Sequence, residues 1–235
     1  MNFFFLPEII GGSTRLSPEE SRHCTRVLRK KTGDYVNVLD GKGSIYQCRI
    51  LKADPDDTLF EIIEKRQQPS RDYSIHIAIA PTKNMDRMEW FIEKSVEIGI
   101  DKISFIRCRN SERTSIKTDR MQKKAVSALK QSGNLFLPEL SEMTDINNFI
   151  SIPFENNRKY IAHAETGAGN PLMRNAGARM NYVVMVGPEG DFTGEELKKI
   201  SAAGFVPVSL SPMRLRTETA GLVACMILHL INTQI

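Results

Sequence analysis

Between Leu210 and Ala220 the chain reads LSPMRLRTETA and then runs straight into the apolar stretch GLVACMILHLI. Arg214 and Arg216 stand just ahead of a segment with helical character, and Glu218 falls in its first turn. A helix N-terminus favours negative charge, because its macrodipole is positive there. Two guanidinium groups at that end gain nothing from the helix. They call for an anion from elsewhere, either a phosphate or charge that develops on a reacting group. Glu218 suits the dipole by itself, and a carboxylate so placed can also orient an arginine or accept a proton.

Two other loops have the composition of ligand sites. GPEG at 187–190 follows the buried-looking strand YVVMVG, and its glycines allow close backbone approach or a positive φ. It is not a P-loop, since no GK[S/T] follows, and it does not open the first unit of a dinucleotide fold. Glu189 within it also fits a solvent-facing turn residue. HAETGAGNP at 163–171 follows the strand KYIAHA, and His163 reads as a strand-end residue rather than a base. In an open α/β sheet, ligands sit beyond the carboxyl ends of the strands, where all three loops fall.

The elements that carry these loops change character along the chain. SPEE at 17–20 is a capping box with proline at the first helical position. Behind it Cys24, Val27 and Leu28 share one face at helical spacing, and Arg22, Arg26 and Arg29 form a basic stripe on another. The alternating segments YVNVLD, SIYQCRIL and TLFEIIE, parted by turn-rich DGKG and ADPDD, predict a small antiparallel sheet or barrel. The polar KRQQPSRD at 65–72 reads as a linker. From SIHIAIA onward strands alternate with helices, which predicts a mostly parallel α/β sheet. Helices are expected over 84–98 and 119–132, each stopped by a glycine, and after a second capping box, TGEE at 193–196. The expected domains are therefore 1–70 and 71–235.

Composition excludes several classes of function. The 235 residues carry a net charge of only +4, with ordinary hydrophobic content. The opening MNFFFLPEII lacks a basic n-region, so no signal peptide is expected. The longest apolar run, 220–231, falls short of the roughly 20 residues of a membrane span. Four single cysteines and four dispersed histidines predict reduced thiols in a cytoplasmic protein and no metal site. Basic residues nevertheless cluster. Residues 21–31 hold five Lys or Arg and no acid, and 106–124 hold seven against two acids, including Arg107, Arg109 and Arg113. Such clusters fit a phosphate backbone as well as a solvated, ion-paired face.

GPEG and LSPMRLRTETA together, one strand apart with a capped helix between them, resemble the C-terminal signature of the SPOUT methyltransferases. More narrowly they resemble the bacterial 16S rRNA (uracil-N3)-methyltransferases of the RsmE type. That family's pattern is a GPEGG-like loop, a Glu shortly after (here Glu195), then LG-x-x-ILR-x-ETA. The segment TKNMDRMEWFIEKSVEIGI is similar to another of its motifs, and the resemblance covers essentially the whole chain. The departures are Asp191 for the second Gly of GPEGG, Ser211 for the Gly after Leu210, Arg214 for Ile, and Asn2 near a start where the family carries Arg.

The resemblance implies an α/β fold, a SPOUT domain with a C-terminal trefoil knot, preceded by a small PUA-like β-rich domain. It implies S-adenosylmethionine as cofactor, held by Gly187, Glu189, Gly190, Leu210, Leu215, Thr219 and Ala220. Methylation of uracil N3 develops an anion over N3, O2 and O4, so Arg216 is the candidate catalytic residue, with Glu218 beside it. Arg22, Arg26, Arg29, Arg107, Arg109, Arg113 and Arg214 are the candidate contacts to 16S rRNA in the small ribosomal subunit. A homodimer is implied as well, and neither metal nor membrane. Ribose 2′-O methylation, or a non-catalytic role in ribosome assembly, are the alternatives.

Overall fold

A computed structural model describes residues 3–163 and 170–233. Most of HAETGAGNP, at 164–169, lies outside the described residues, as does Asn2. The chain divides into two compact units that are not contiguous in sequence. One comprises Met1–Ser70 with Val126–Leu137, and the other Arg71–Ala125 with Pro138–Ile235.

In the first unit, β1 (Phe3–Phe5) is followed by a single 3-10 turn, Pro7–Gly11. Helix α1 (Pro18–Arg22) then leads to β2 (Tyr35–Leu39), β3 (Ser44–Lys52) and β4 (Leu59–Gln67). The sheet order is β1-β2-β3-β4, antiparallel except for the β1–β2 pair. Strand β3 shows the expected alternation, with Tyr46, Cys48 and Ile50 turned into a core that also holds Phe4, Val38 and Phe60.

The basic helix departs from the regular spacing expected of it. Ser17 caps α1 by accepting from the Glu20 amide at 3.2 Å. Glu20 does not return the favour to Ser17; its carboxylate takes a 2.7 Å hydrogen bond from Lys130. After Arg22 the backbone widens into a π-helical turn, His23–Val27, where Leu28 N–H donates to the His23 carbonyl and the Thr25 hydroxyl donates to the Ser21 carbonyl. A wider turn advances each side chain by less than 100°. Cys24 stays buried, but Val27 is 64% exposed, and Arg29 sits at φ 54°. The single arginine stripe therefore breaks after Arg22.

The second unit holds one parallel sheet, built from β5 (Ser74–Ile79), β6 (Lys102–Arg107), β7 (Glu139–Leu140), β8 (Thr144–Asp145), β9 (Asn157–Ala162), β10 (Asn181–Val186) and β11 (Val206–Val208). The order is β11-β9-β10-β5-β6-β7, and β8 also pairs with β6. Strands β5 and β10 are buried on both faces, as the central strands of a parallel sheet must be. Helix α2 (Met85–Ile98) starts at the Asn84 cap and stops at Gly99, whose φ of 101° makes the left-handed C-cap. Helix α3 (Thr118–Ser132) comes next, its residues from Val126 onward belonging to the first unit, then the short α4 (Ile146–Ile150) and α5 (Leu172–Asn175), α6 (Gly194–Ala202), and α7 (Thr217–Thr233). At α6 both halves of the Thr193–Glu196 capping box are made.

Helix α7 lies against α2, β5 and β10. Gly221 permits that approach: a Cβ there would meet a Phe91 ring carbon at 2.7 Å and Ile79 Cδ1 at 3.0 Å. Because β11, β9 and β10 are parallel neighbours, the loops that follow them leave the same edge of the sheet. The topology thus gathers three chain segments that are far apart in sequence.

Candidate active site

The loops after β10 and β11 meet the end of β9 at a cleft of about 710 Å³, a volume in the ordinary range for small-ligand sites. Its wall runs from Val186 to Glu189 after β10, from Val208 to Thr217 after β11, and takes in Ala162 and His163 at the end of β9. His163 and Asn170 are both tied to the end of β11. His163 N–H donates to the Val208 carbonyl at 3.2 Å, and Ser209 N–H to the Asn170 carbonyl at 2.9 Å.

The loop after β10 is held by its contacts rather than by unusual glycine conformations. Neither Gly187 nor Gly190 has a positive φ. Gly187 is needed for space, since a Cβ would stand 2.7 Å from the Phe192 ring. Gly190 lies under Asn110, whose amide donates to the carbonyls of Gly190 and Asp191 at 3.0 Å each. The left-handed residue is Asp191, at φ 60°. That position is where the GPEGG pattern carries its second glycine, and aspartate is among the side chains that best tolerate the conformation. Its carboxylate accepts from the Phe192 amide at 2.8 Å and lies 3.4 Å from His163 Nδ1.

The loop after β11 closes onto the GPEG loop. Thr217, buried at the start of α7, donates from its hydroxyl to the Gly187 carbonyl at 3.1 Å. The Arg214 guanidinium reaches the Glu189 carbonyl at 3.4 Å. Arg216 is exposed at the cleft, and among the described residues its side chain has no hydrogen bond or ion pair.

Of the residues singled out by sequence, Gly187, Glu189, Leu210, Arg214, Leu215, Arg216 and Ala220 line the cleft. Gly190, Glu218 and Thr219 are not part of its wall. Glu218 is buried, its Oε1 lies 3.8 Å from Arg87 Nε, and its Oε2 has no hydrogen-bond partner among the described residues. Arg87 lines the cleft, and its Nη1 donates to Glu189 Oε1 at 3.0 Å. The sequence reading passed over Arg87, although it carried the signal that drew attention to Arg216: a cation in the first turn of a helix, here α2.

The basic candidates separate by what they already touch. In the first unit Arg22 pairs with Asp56 at 3.2 Å, while Arg26 and Arg29 are exposed. In the second, Arg107 pairs with Asp145 at 3.3 Å. Arg113 donates to the Thr82 and Lys83 carbonyls at 3.3 and 2.6 Å, so its guanidinium holds the loop ahead of α2. Arg109 projects outward, its backbone N–H held by Glu196 at 2.8 Å.

Burial pushes the Cys24 thiol up to about 11, and those of Cys48, Cys108 and Cys225 to about 12. All four are free thiols, protonated at neutral pH and absent from the cleft wall, so the cleft has no thiolate nucleophile. Among the described residues no group of His, Cys, Asp and Glu gathers in a way that could hold a metal ion. Among the described residues no helix is long and apolar enough to cross a membrane.

Residues 69–229 match the model of the RNA methyltransferase domain family, and residues 16–63 that of an RNA methyltransferase PUA domain. Ribosomal RNA small subunit methyltransferase E of Buchnera aphidicola is 28% identical over 89% of this chain and 84% of its own length. The protein of the same name from Aquifex aeolicus is 27% identical over 94% and 95%. Among solved structures, a probable rRNA-methyltransferase of Porphyromonas gingivalis superposes with a TM-score of 0.90 at 38% identity, covering 99% and 98% of the two chains. Ribosomal RNA small subunit methyltransferase E from Neisseria gonorrhoeae, bound to S-adenosyl methionine, gives 0.82 at 26% identity, over 96% and 95%. The chain belongs to the RNA methyltransferase family that joins this α/β domain to a PUA domain, the family of small-subunit rRNA methyltransferase E.

Proposed function

We propose that this protein methylates N3 of a uridine in 16S ribosomal RNA, using S-adenosylmethionine as the methyl donor. The observation that carries the reading is the cleft itself, where an unpaired Arg216 faces a pocket built from the GPEG and LRTETA loops. The residues present suit that cofactor. Leu210, Leu215, Val186 and Ala220 offer an apolar wall for an adenine ring, and the bare Cα of Gly187 keeps the loop floor close. When bound, S-adenosylmethionine supplies an electrophilic methyl group that needs no further activation.

The protein's part is placement and charge stabilisation. Uracil N3–H must give up its proton to solvent, the resulting anion spreads over N3, O2 and O4, and transfer of the methyl group to N3 would release S-adenosylhomocysteine. A guanidinium with no competing internal partner is free to meet those oxygens, and among the described residues Arg216 is the cleft-wall arginine that has none. The absence of a cleft thiolate favours attack by the substrate nitrogen over a route through a covalent cysteine adduct. N3 lies on the pairing edge of the base, so the uridine must be unpaired to react. Arg26, Arg29 and Arg109, exposed and without ion pairs among the described residues, are the strongest candidates for holding the surrounding RNA. Arg22, Arg107, Arg113 and Arg214 would have to exchange an internal partner for a phosphate. A cytoplasmic location fits work on ribosomal RNA. The same reading extends to a knotted C-terminal segment of the SPOUT kind, with which the hydrogen bonds of Arg214 and Thr217 to the GPEG loop are compatible.

Titration of the protein with S-adenosylmethionine in excess chelator should give a saturable heat. An absence of heat at millimolar cofactor would overturn the cofactor assignment. A homodimer is the second expectation. Helix α7 buries Ala224, Cys225 and Leu228 but leaves Met226 and Leu230 about two-fifths exposed, which offers an apolar strip to a second copy. Light scattering at micromolar concentration should return twice the 26.5 kDa chain mass, and a stable monomer contradicts the proposal.

A further inference from the structure

We infer that Arg87 is a positioning residue of this site, a single cation that holds Glu189 of the GPEG loop and the buried Glu218 of α7 in one fixed arrangement. The inference rests on the methyltransferase reading above. Its geometry is a bridge across elements more than 100 residues apart in sequence. Arg87 Nη1 is 3.0 Å from Glu189 Oε1, and Nε is 3.8 Å from Glu218 Oε1.

The two carboxylates differ in what they need. The Glu189 side chain is 42% exposed, so water can solvate it whether or not Arg87 is there. The Glu218 side chain is 7% exposed, and the ion pair with Arg87 is its one charged contact among the described residues. A buried carboxylate without a counter-charge is expensive, and the favourable end of the α7 dipole offsets only part of that cost. Glu218 is therefore secured by Arg87. Thr217, one residue earlier, is fixed to Gly187 at 3.1 Å, and Arg216 is the residue before that. The start of α7, and with it the base of the Arg216 side chain, is pinned at two adjacent residues. One pin is a hydrogen bond to the GPEG loop, and the other is the Arg87 ion pair.

Loss of Arg87 should thus act on Arg216 through Glu218 and on the cofactor loop through Glu189. A shift of about 1 Å in a catalytic group can cost on the order of 100-fold in rate. The test compares wild type, Arg87→Met, Arg87→Lys, Glu218→Gln and the Arg87→Met/Glu218→Gln double variant. For each, urea unfolding, calorimetric affinity for S-adenosylmethionine and the single-turnover methylation rate are measured. Arg87→Met is expected to slow turnover by about ten-fold or more and to weaken cofactor binding by a smaller factor. Arg87→Lys should restore most of the rate. The double variant should be no slower than Arg87→Met, because the neutral amide removes the uncompensated buried charge. Should Arg87→Met not fold, the single Glu218→Gln variant must still lose turnover with cofactor affinity kept.

Arg87→Met turning over at the wild-type rate overturns the inference. So does a loss confined to cofactor affinity, or independent multiplication of the Arg87 and Glu218 effects. A wild-type protein that neither binds the cofactor nor methylates RNA instead removes the functional reading beneath it, so the two failures are distinguishable.

Discussion

Arg216→Ala should lower the single-turnover rate of methyl transfer by roughly 100-fold or more, with cofactor affinity nearly unchanged. The size follows from the chemistry assigned to it, since a preorganised donor aimed at developing charge contributes most of its energy in the transition state. The specificity follows from structure. Among the described residues the Arg216 side chain has no hydrogen bond or ion pair, so its removal breaks no internal polar contact and should leave the unfolding midpoint in place. Arg216→Lys is the sharper variant, because it keeps the charge and loses the planar fork that spans two oxygens. Arg26→Ala is the contrasting one. A phosphate contact there should weaken RNA binding and reduce its salt dependence by about one counterion, with the chemical step intact. If both Arg216 variants react at the wild-type rate, the catalytic assignment is wrong.

Gly187→Val should weaken S-adenosylmethionine binding by at least about ten-fold, equivalent to about 1.4 kcal/mol. The added Cβ would sit 2.7 Å from Phe192 Cε2 and 3.0 Å from Cδ2. Phe192 cannot yield easily, because it is 6% exposed and packed in the cluster that includes Met185, Ile200 and Phe205. Overpacking of this kind typically costs about 1–3 kcal/mol. The strain is relieved by lifting the loop, which draws the Gly187 carbonyl from Thr217 and moves Pro188 and Glu189 in the cleft wall. Gly190→Ala serves as the control. Its Cβ would meet Asn110 Cβ at 3.1 Å, a milder contact than the 2.7 Å at Phe192, and one made by an exposed turn residue rather than a buried ring. Calorimetry should find a large loss for the first and a small one for the second. Equal affinity in Gly187→Val and wild type would contradict the placement of the cofactor against this loop.

What was legible in the sequence was local or carried by motifs. Capping residues set the start of α6 and the stop of α2, and period-two alternation marked β3. The GPEG and LRTETA loops were recognisable because the two motifs stand together at the spacing of the family they resemble. Pairings between distant segments were not legible. Nothing in the spacing of Arg87, Glu189 and Glu218 announces that one cation serves two carboxylates, because only the parallel β10–β5 pairing and the packing of α7 on α2 bring them together. The break in the arginine stripe had a cause that period counting ignores, a hydroxyl and a carbonyl that favour a wider turn at Thr25 and His23. Asp191 lay between these cases. It looked like a departure from a glycine motif, and the structure shows the glycine-like backbone retained with an aspartate in it, tied to the Phe192 amide.

The most direct test is nucleoside mass spectrometry of small-subunit ribosomal RNA from cells with and without the protein. One N3-methyluridine should be present with it, absent without it, and restored by wild type but not by Arg216→Ala. An unchanged N3-methyluridine content, or the loss of a ribose-methylated nucleoside in its place, would contradict the proposed reaction.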